Sequence, residues 1–72
     1  MNLTPLPHTD DAHFDAEVAS APAVLMVFSG KWCPPCRALE PTLQALAADR
    51  PQLRVVEIDV DDNQVVAQRF MV

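Results

Sequence analysis

An unbroken apolar run, Val24-Leu25-Met26-Val27-Phe28, shows no alternation. It predicts a strand buried on both faces, as in the middle of a parallel sheet. Past a short polar break, Pro35 to Asp49 carries Leu39, Leu43, Leu46 and Ala47 on one helical face. Pro41 falls inside this segment and bends the helix or, in the alternative, starts a second one after a break. Pro51 separates the helix from Leu53 to Val60. From Val56 this stretch alternates, with Val56, Ile58 and Val60 on one side and Glu57 and Asp59 on the other. Asp61 or Asp62 is positioned to cap a last helix whose inward residues are Val66 and Phe70. Upstream, Thr9, Asp10 and Asp11 offer caps for a helix in which Phe14 and Val18 form the inner stripe and Asp15 and Glu17 face out; Pro22 ends it. Met1 to His8 contains Pro5 and Pro7, and is a loop or a short edge strand. Strand and helix alternate three times, which implies an α/β layer with right-handed crossovers.

The junction between the apolar run and the central helix holds the chemistry. Phe28-Ser29-Gly30-Lys31-Trp32-Cys33-Pro34-Pro35-Cys36-Arg37 contains the only two cysteines, the only tryptophan and the only glycine of the chain. Cys33 falls at the helix start, where partial positive charge and free N–H groups favour a thiolate over a thiol. The two-residue spacer lets Cys36 fold back, so the pair can close as a disulfide or open as a dithiol. Pro34 and Pro35 each lack an N–H, leaving the Cys36 amide as the donor within reach of Cys33. Lys31 and Arg37 either favour the thiolate by their charge or are ordinary solvated side chains. Trp32 packs beside the motif or shapes a docking surface. His8 reads as a loop residue and His13 as a helix-surface residue, neither close to Cys33.

Composition narrows the function. The 72 residues allow one domain, residues 1–72, and half of them are apolar, enough for a core. A net charge of −5 argues against nucleic acid and anionic membrane surfaces as partners. No apolar run approaches the roughly 20 residues a spanning helix needs, and Met1 to Asp10 lacks the pattern of a secretory signal, so the expected compartment is the cytoplasm. Two thiols and two remote histidines are too few for a closed metal site in one chain; a metal would have to bridge two copies. Asp59, Asp61 and Asn63 mimic the start of a calcium loop, but Gln64 and Phe70 stand where its glycine and final glutamate are required, so capping is the better reading.

Trp32-Cys33-Pro34-Pro35-Cys36-Arg37 resembles the active-site motif of the thioredoxin family, with Pro34 where the commonest form has glycine. Pro41 falls where the family kinks its active-site helix, and Val55–Asp59 and Asp61–Phe70 resemble the strand and helix that follow. The resemblance implies a thioredoxin-like α/β fold, its N-terminal βαβαβα part, with Met1 to His8 contributing the first strand and the strands ordered first, third, second. It implies that the chain ends before the family's cis-proline loop, hairpin and last helix. The second strand would then carry an exposed apolar edge over 24–28 that recruits a second copy. The activity implied is thiol–disulfide exchange with protein disulfides, Cys33 attacking and Cys36 resolving. A flavoprotein thioredoxin reductase using NADPH is the implied electron donor, with no cofactor on this chain.

The sequence departs from the family at two places. Val27 occupies the position of a buried aspartate, and Glu57 that of the lysine paired with it. Glu57 either points to solvent or, partly buried, exchanges a proton with Cys36. The sites expected to matter are therefore Cys33 and Cys36, supported by Trp32, Pro34, Pro35 and Glu57. The alternative to an enzyme is a catalytically weak fragment serving as an interaction or dimerisation module; a metal-bridged dimer stands behind it.

Overall fold

A computed structural model describes residues 5–31 and 33–71. Strands β1 (His8–Thr9), β2 (Ala23–Ser29) and β3 (Leu53–Asp59) alternate with helices α1 (Phe14–Val18), α2 (Pro34–Asp49) and α3 (Gln64–Arg69). The sheet is parallel and ordered β1-β3-β2, the order implied by the family resemblance. β2 and β3 run in register from Ala23↔Leu53 to Ser29↔Asp59. β1 adds two pairs, His8↔Glu57 and Thr9↔Ile58. Its brevity follows from its prolines. Pro5 and Pro7 cannot donate to a ladder, although the Pro7 carbonyl still accepts from the Glu57 amide at 2.9 Å. The first strand is thus confined to His8–Thr9 within the described part of the Met1 to His8 stretch and the residue after it.

The alternation along β3 sorts the core into two layers. Val55 packs with Leu6 and Leu43, and Val27, Ala47 and Leu53 close around them. On the opposite face Ile58 packs with Phe14 and Val66, flanked by Met26 and Phe28. α2 therefore covers one face of the sheet, and α1 and α3 the other. The strand buried on both faces is β3, with Val55, Val56 and Ile58 at 3%, 0% and 0% exposure, and not β2 as its apolar run suggested. β2 is half-buried, with Leu25 exposed, because its outer edge has no paired strand among the described residues.

The helices follow the sequence pattern with local corrections. α2 runs through Pro41 without a break. Leu43 and Ala47 seat it on the sheet, whereas Leu39 and, in the short α1, Val18 are about half exposed. Val66 is buried as expected, and so is Ala67. Phe70 lies just past α3; its ring reaches Phe14 and Phe28, with centroids 5.5 Å from each, yet stays partly exposed beneath the Arg69 guanidinium. Neither Asp61 nor Asp62 caps α3. The cap is Asp11, whose carboxylate accepts from the amides of Val66 at 2.8 Å and Val65 at 3.3 Å. Glu17, expected to face out, turns its carboxylate to Arg54. No helix among the described residues is long and apolar enough to cross a membrane.

Candidate active site

The sheet delivers the two cysteines to its carboxyl edge. β2 ends at Ser29, whose carbonyl accepts from the Val60 amide at 2.8 Å, and the chain then turns into α2. Cys33 is the N-cap residue, Pro34 and Pro35 fill the first two helical positions, and Cys36 is the third. Proline is tolerated here because the first amides of a helix have no partner within it. This spacing brings Cys33 and Cys36 together across one turn. They form a disulfide, with S–S 2.06 Å and Cα atoms 5.2 Å apart. An N-cap side chain ordinarily accepts from the amide at the second or third position. With proline at the second, the Cys36 amide is the donor left for a reduced Cys33.

The loop that carries Cys33 is tied to the turn after β3. The Lys31 amide donates to Asp61 Oδ2 at 3.1 Å, and Lys31 Nζ pairs with Asp62 at 3.1 Å. Asp62, with the neighbouring carboxylates, pushes the Lys31 pKa up. Arg37 donates to the Lys31 carbonyl at 3.1 Å. Both cations are thus engaged, at the surface, with the loop and its acidic neighbour. Gly30 allows the close approach, since a Cβ there would stand 3.2 Å from Asp61 Oδ2. Trp32 lies outside the described residues.

Two cavities border the disulfide. One, of about 310 Å³, is lined by Phe28, Cys33, Cys36 and Val60 along with Ser29, Gly30 and Asp61. The other, of about 180 Å³, is lined by Cys36 and Glu57 together with Arg37, Glu40 and Asp59. Glu57 does not point to solvent: it is 6% exposed. Burial pushes its pKa up, the negative charge of Glu40 adds to the rise, and His8 opposes it. His8 Nε2 lies 3.0 Å from Glu57 Oε2. The register explains the contact, because Val27, Glu57 and His8 occupy one row across the three strands, and paired residues share a face.

The structure therefore brings Cys33, Cys36, Pro34, Pro35 and Glu57 together around one helix start. His8, expected to be a loop residue remote from Cys33, lies instead in β1 against Glu57, and Glu40, for which no role was expected, lines the cavity with Cys36. Glu40 was legible in principle, one helical turn beyond Cys36; His8 was not, because its pairing depends on strand register. Among the described residues, no cluster of three or more histidine, cysteine, aspartate or glutamate side chains could hold a metal ion.

Comparison with known proteins places this arrangement. The family model for thioredoxin matches residues 5–72. The thioredoxin of Chlamydia pneumoniae is 40% identical over 60 residues, which is 83% of this chain and 58% of that protein. A bifunctional thioredoxin reductase/thioredoxin of Mycobacterium leprae is 42% identical over 64 residues, 86% of this chain and 14% of its own length. Among solved structures, the oxidised form of mitochondrial thioredoxin 3 from Saccharomyces cerevisiae superposes with a TM-score of 0.85 at 25% identity, over 93% of this chain and 64% of that one. The chain thus spans 58% of the length of the bacterial thioredoxin it matches. With the family model covering nearly every residue and the cysteine pair closed at the start of the second helix, the chain belongs to the thioredoxin family.

Proposed function

We propose that this chain is a thiol–disulfide oxidoreductase that reduces protein disulfides through Cys33 and Cys36. The observation that carries the reading is the Cys33–Cys36 disulfide at the start of α2, with one cavity lined by both cysteines and a second lined by Cys36. In the reduced form, Cys33 thiolate attacks one sulfur of a substrate disulfide. A Cys33–substrate bond forms, the substrate S–S bond breaks, and the first substrate thiolate leaves. Cys36 then gives up its proton and attacks Cys33 Sγ. The intramolecular disulfide closes and the second substrate thiolate departs. Two electrons pass to the substrate, and the oxidised state described above is the product.

Glu57 is the proton acceptor for Cys36 in this scheme. Glu57 lines the Cys36 cavity, and its raised pKa suits it to a thiol better than an exposed glutamate would be. Thioredoxin reductase is the proposed electron donor. The relative from Mycobacterium leprae, whose name joins a reductase and a thioredoxin in one chain, supports that pairing. The shared core around β3 supports treating residues 1–72 as one folding unit.

The test is trapping. A reduced Cys36→Ser protein mixed with a protein disulfide should accumulate a mixed disulfide on Cys33, resolved by added dithiol. No adduct from a folded sample with a titratable Cys33 would sink the assignment.

A second reading is favoured by β2, which pairs with β3 alone among the described residues and exposes Leu25. It makes the chain a dimerisation module through residues 24–28. Light scattering that shows a monomer at high concentration, with β2 amides slow to exchange, would remove it.

A further inference from the structure

Glu57 has a neighbour that the thiol chemistry above does not use. The His8 side chain is 61% exposed, whereas that of Glu57, 3.0 Å away, is 8% exposed. The imidazole therefore spans the step from a buried carboxylate to bulk solvent. Glu57 also borders the 180 Å³ cavity that it shares with Cys36. A single water needs roughly 10–15 Å³ of such space, so the cavity has room for water.

We infer that His8 is a positioning and relay residue for the resolving step, holding the Glu57 carboxylate towards the Cys36 cavity and passing its proton out to solvent. The inference rests on the role proposed for Glu57 and extends it by one residue. The proton balance is simple. Cys36 S–H loses its proton, directly or through a water, to a Glu57 oxygen. The resulting carboxyl O–H donates to the lone pair on His8 Nε2 of the neutral ring. The imidazolium releases a proton from Nδ1 to water, which restores the carboxylate and a neutral ring; proton exchange of the exposed ring with water then returns it to the Nδ1–H tautomer, with the Nε2 lone pair free again. No oxidant or further reactant enters.

The surroundings are consistent with an outlet on this side. Around Glu57, α2 contributes Glu40, Arg37 and Cys36, β3 contributes Asp59, and the loop before α2 contributes Lys31. Arg37 and Lys31 are engaged with the loop and with Asp62, and Glu40 and Asp59 are acidic. β2 presents only Val27 in this row, opposite Glu57. His8 is the titratable side chain in direct contact with the Glu57 carboxylate, and it reaches water.

The experiment measures the single-turnover release of the second substrate thiol against pH in the parent, His8→Ala, Glu57→Gln and the double variant. Circular dichroism checks that each is folded. His8→Ala should slow the step on the order of tenfold, a fraction of the roughly 10²-fold that a positioned acid–base group supplies at the low end. Added imidazole should restore the rate in His8→Ala and not in the double variant. Because His8 opposes the rise in the Glu57 pKa, its removal should move the acid limb of the profile, and the Glu57 carboxyl carbon titration by NMR, to higher pH. A slow His8→Ala protein without imidazole rescue and with an unmoved Glu57 titration would overturn the relay. Glu57→Gln slowing the step while His8→Ala leaves rate and profile unchanged would overturn it too, and leave the role of Glu57 standing. If neither substitution alters the profile, both fall.

Discussion

Removing the Asp11 side chain probes the contact that ties the first and last thirds of the chain together. Asp11 caps α3 from a sequence distance of 55 residues, with one short bond to the Val66 amide and a longer one to Val65. Its own amide donates to Asn63 Oδ1 at 2.9 Å, and Asn63 Nδ2 donates to the Asp59 carbonyl at 2.8 Å. Loss of a side-chain cap ordinarily costs about 0.5–2 kcal/mol. A carboxylate at a helix start contributes about 0.3–1 kcal/mol through the helix dipole, less where the helix is as short as α3. Because the 3.3 Å bond is weak and the 2.8 Å bond is partly buried, we expect Asp11→Ala to cost about 1–2 kcal/mol. In a domain of this size each kcal/mol lowers Tm by about 4–8 °C. Thermal unfolding followed by circular dichroism should therefore show a fall of about 4–16 °C, and Asp11→Asn, which keeps an acceptor, about half of that. Native-state exchange at the Val65 and Val66 amides should accelerate on the order of tenfold. A Tm within about 1 °C of the parent, with unchanged exchange at those amides, would refute the cap.

Two further substitutions test the core and the buried carboxylate. Ile58 is fully buried against Phe14 and Val66, so Ile58→Val should cost about 0.5–1.5 kcal/mol and Ile58→Ala about 2–5 kcal/mol in urea unfolding, the latter enough to unfold much of a small domain. For Glu57 the folded protein holds its proton more tightly than the unfolded chain, so protonation favours the fold below the ordinary value of 4.5, and that advantage is lost as pH rises through the higher folded value. The stability difference between Glu57→Gln and the parent should accordingly move in favour of the variant as pH rises from 4.5; a difference independent of pH would contradict the raised pKa.

What could be read from the sequence was what is local. The cysteine pair, the strand-to-helix junction and the prolines of the first helical turn follow from spacing within ten residues, and the structure places them as expected. The alternation Val56, Glu57, Ile58 correctly separated the faces of β3, but not the depth of Glu57, which depends on its place in the middle of the sheet under α2. The apolar run of β2 signalled a strand without revealing its place in the sheet, so the central role passed to β3. The His8–Glu57 pair and the Asp11 cap depend on parallel register and on loop packing between segments about fifty residues apart, which no local period records. The exposure of Leu39 and Val18 likewise reflects which part of each helix meets the sheet.

Steady-state turnover of a protein disulfide, with a small dithiol as reductant and Cys33→Ser as the control, is the most direct test of the redox function. The expected result is catalytic reduction by the parent chain that disappears in Cys33→Ser. A folded parent with both thiols titratable and no turnover above the dithiol background would contradict it, and would leave β2, with its exposed Leu25, as the feature to explain.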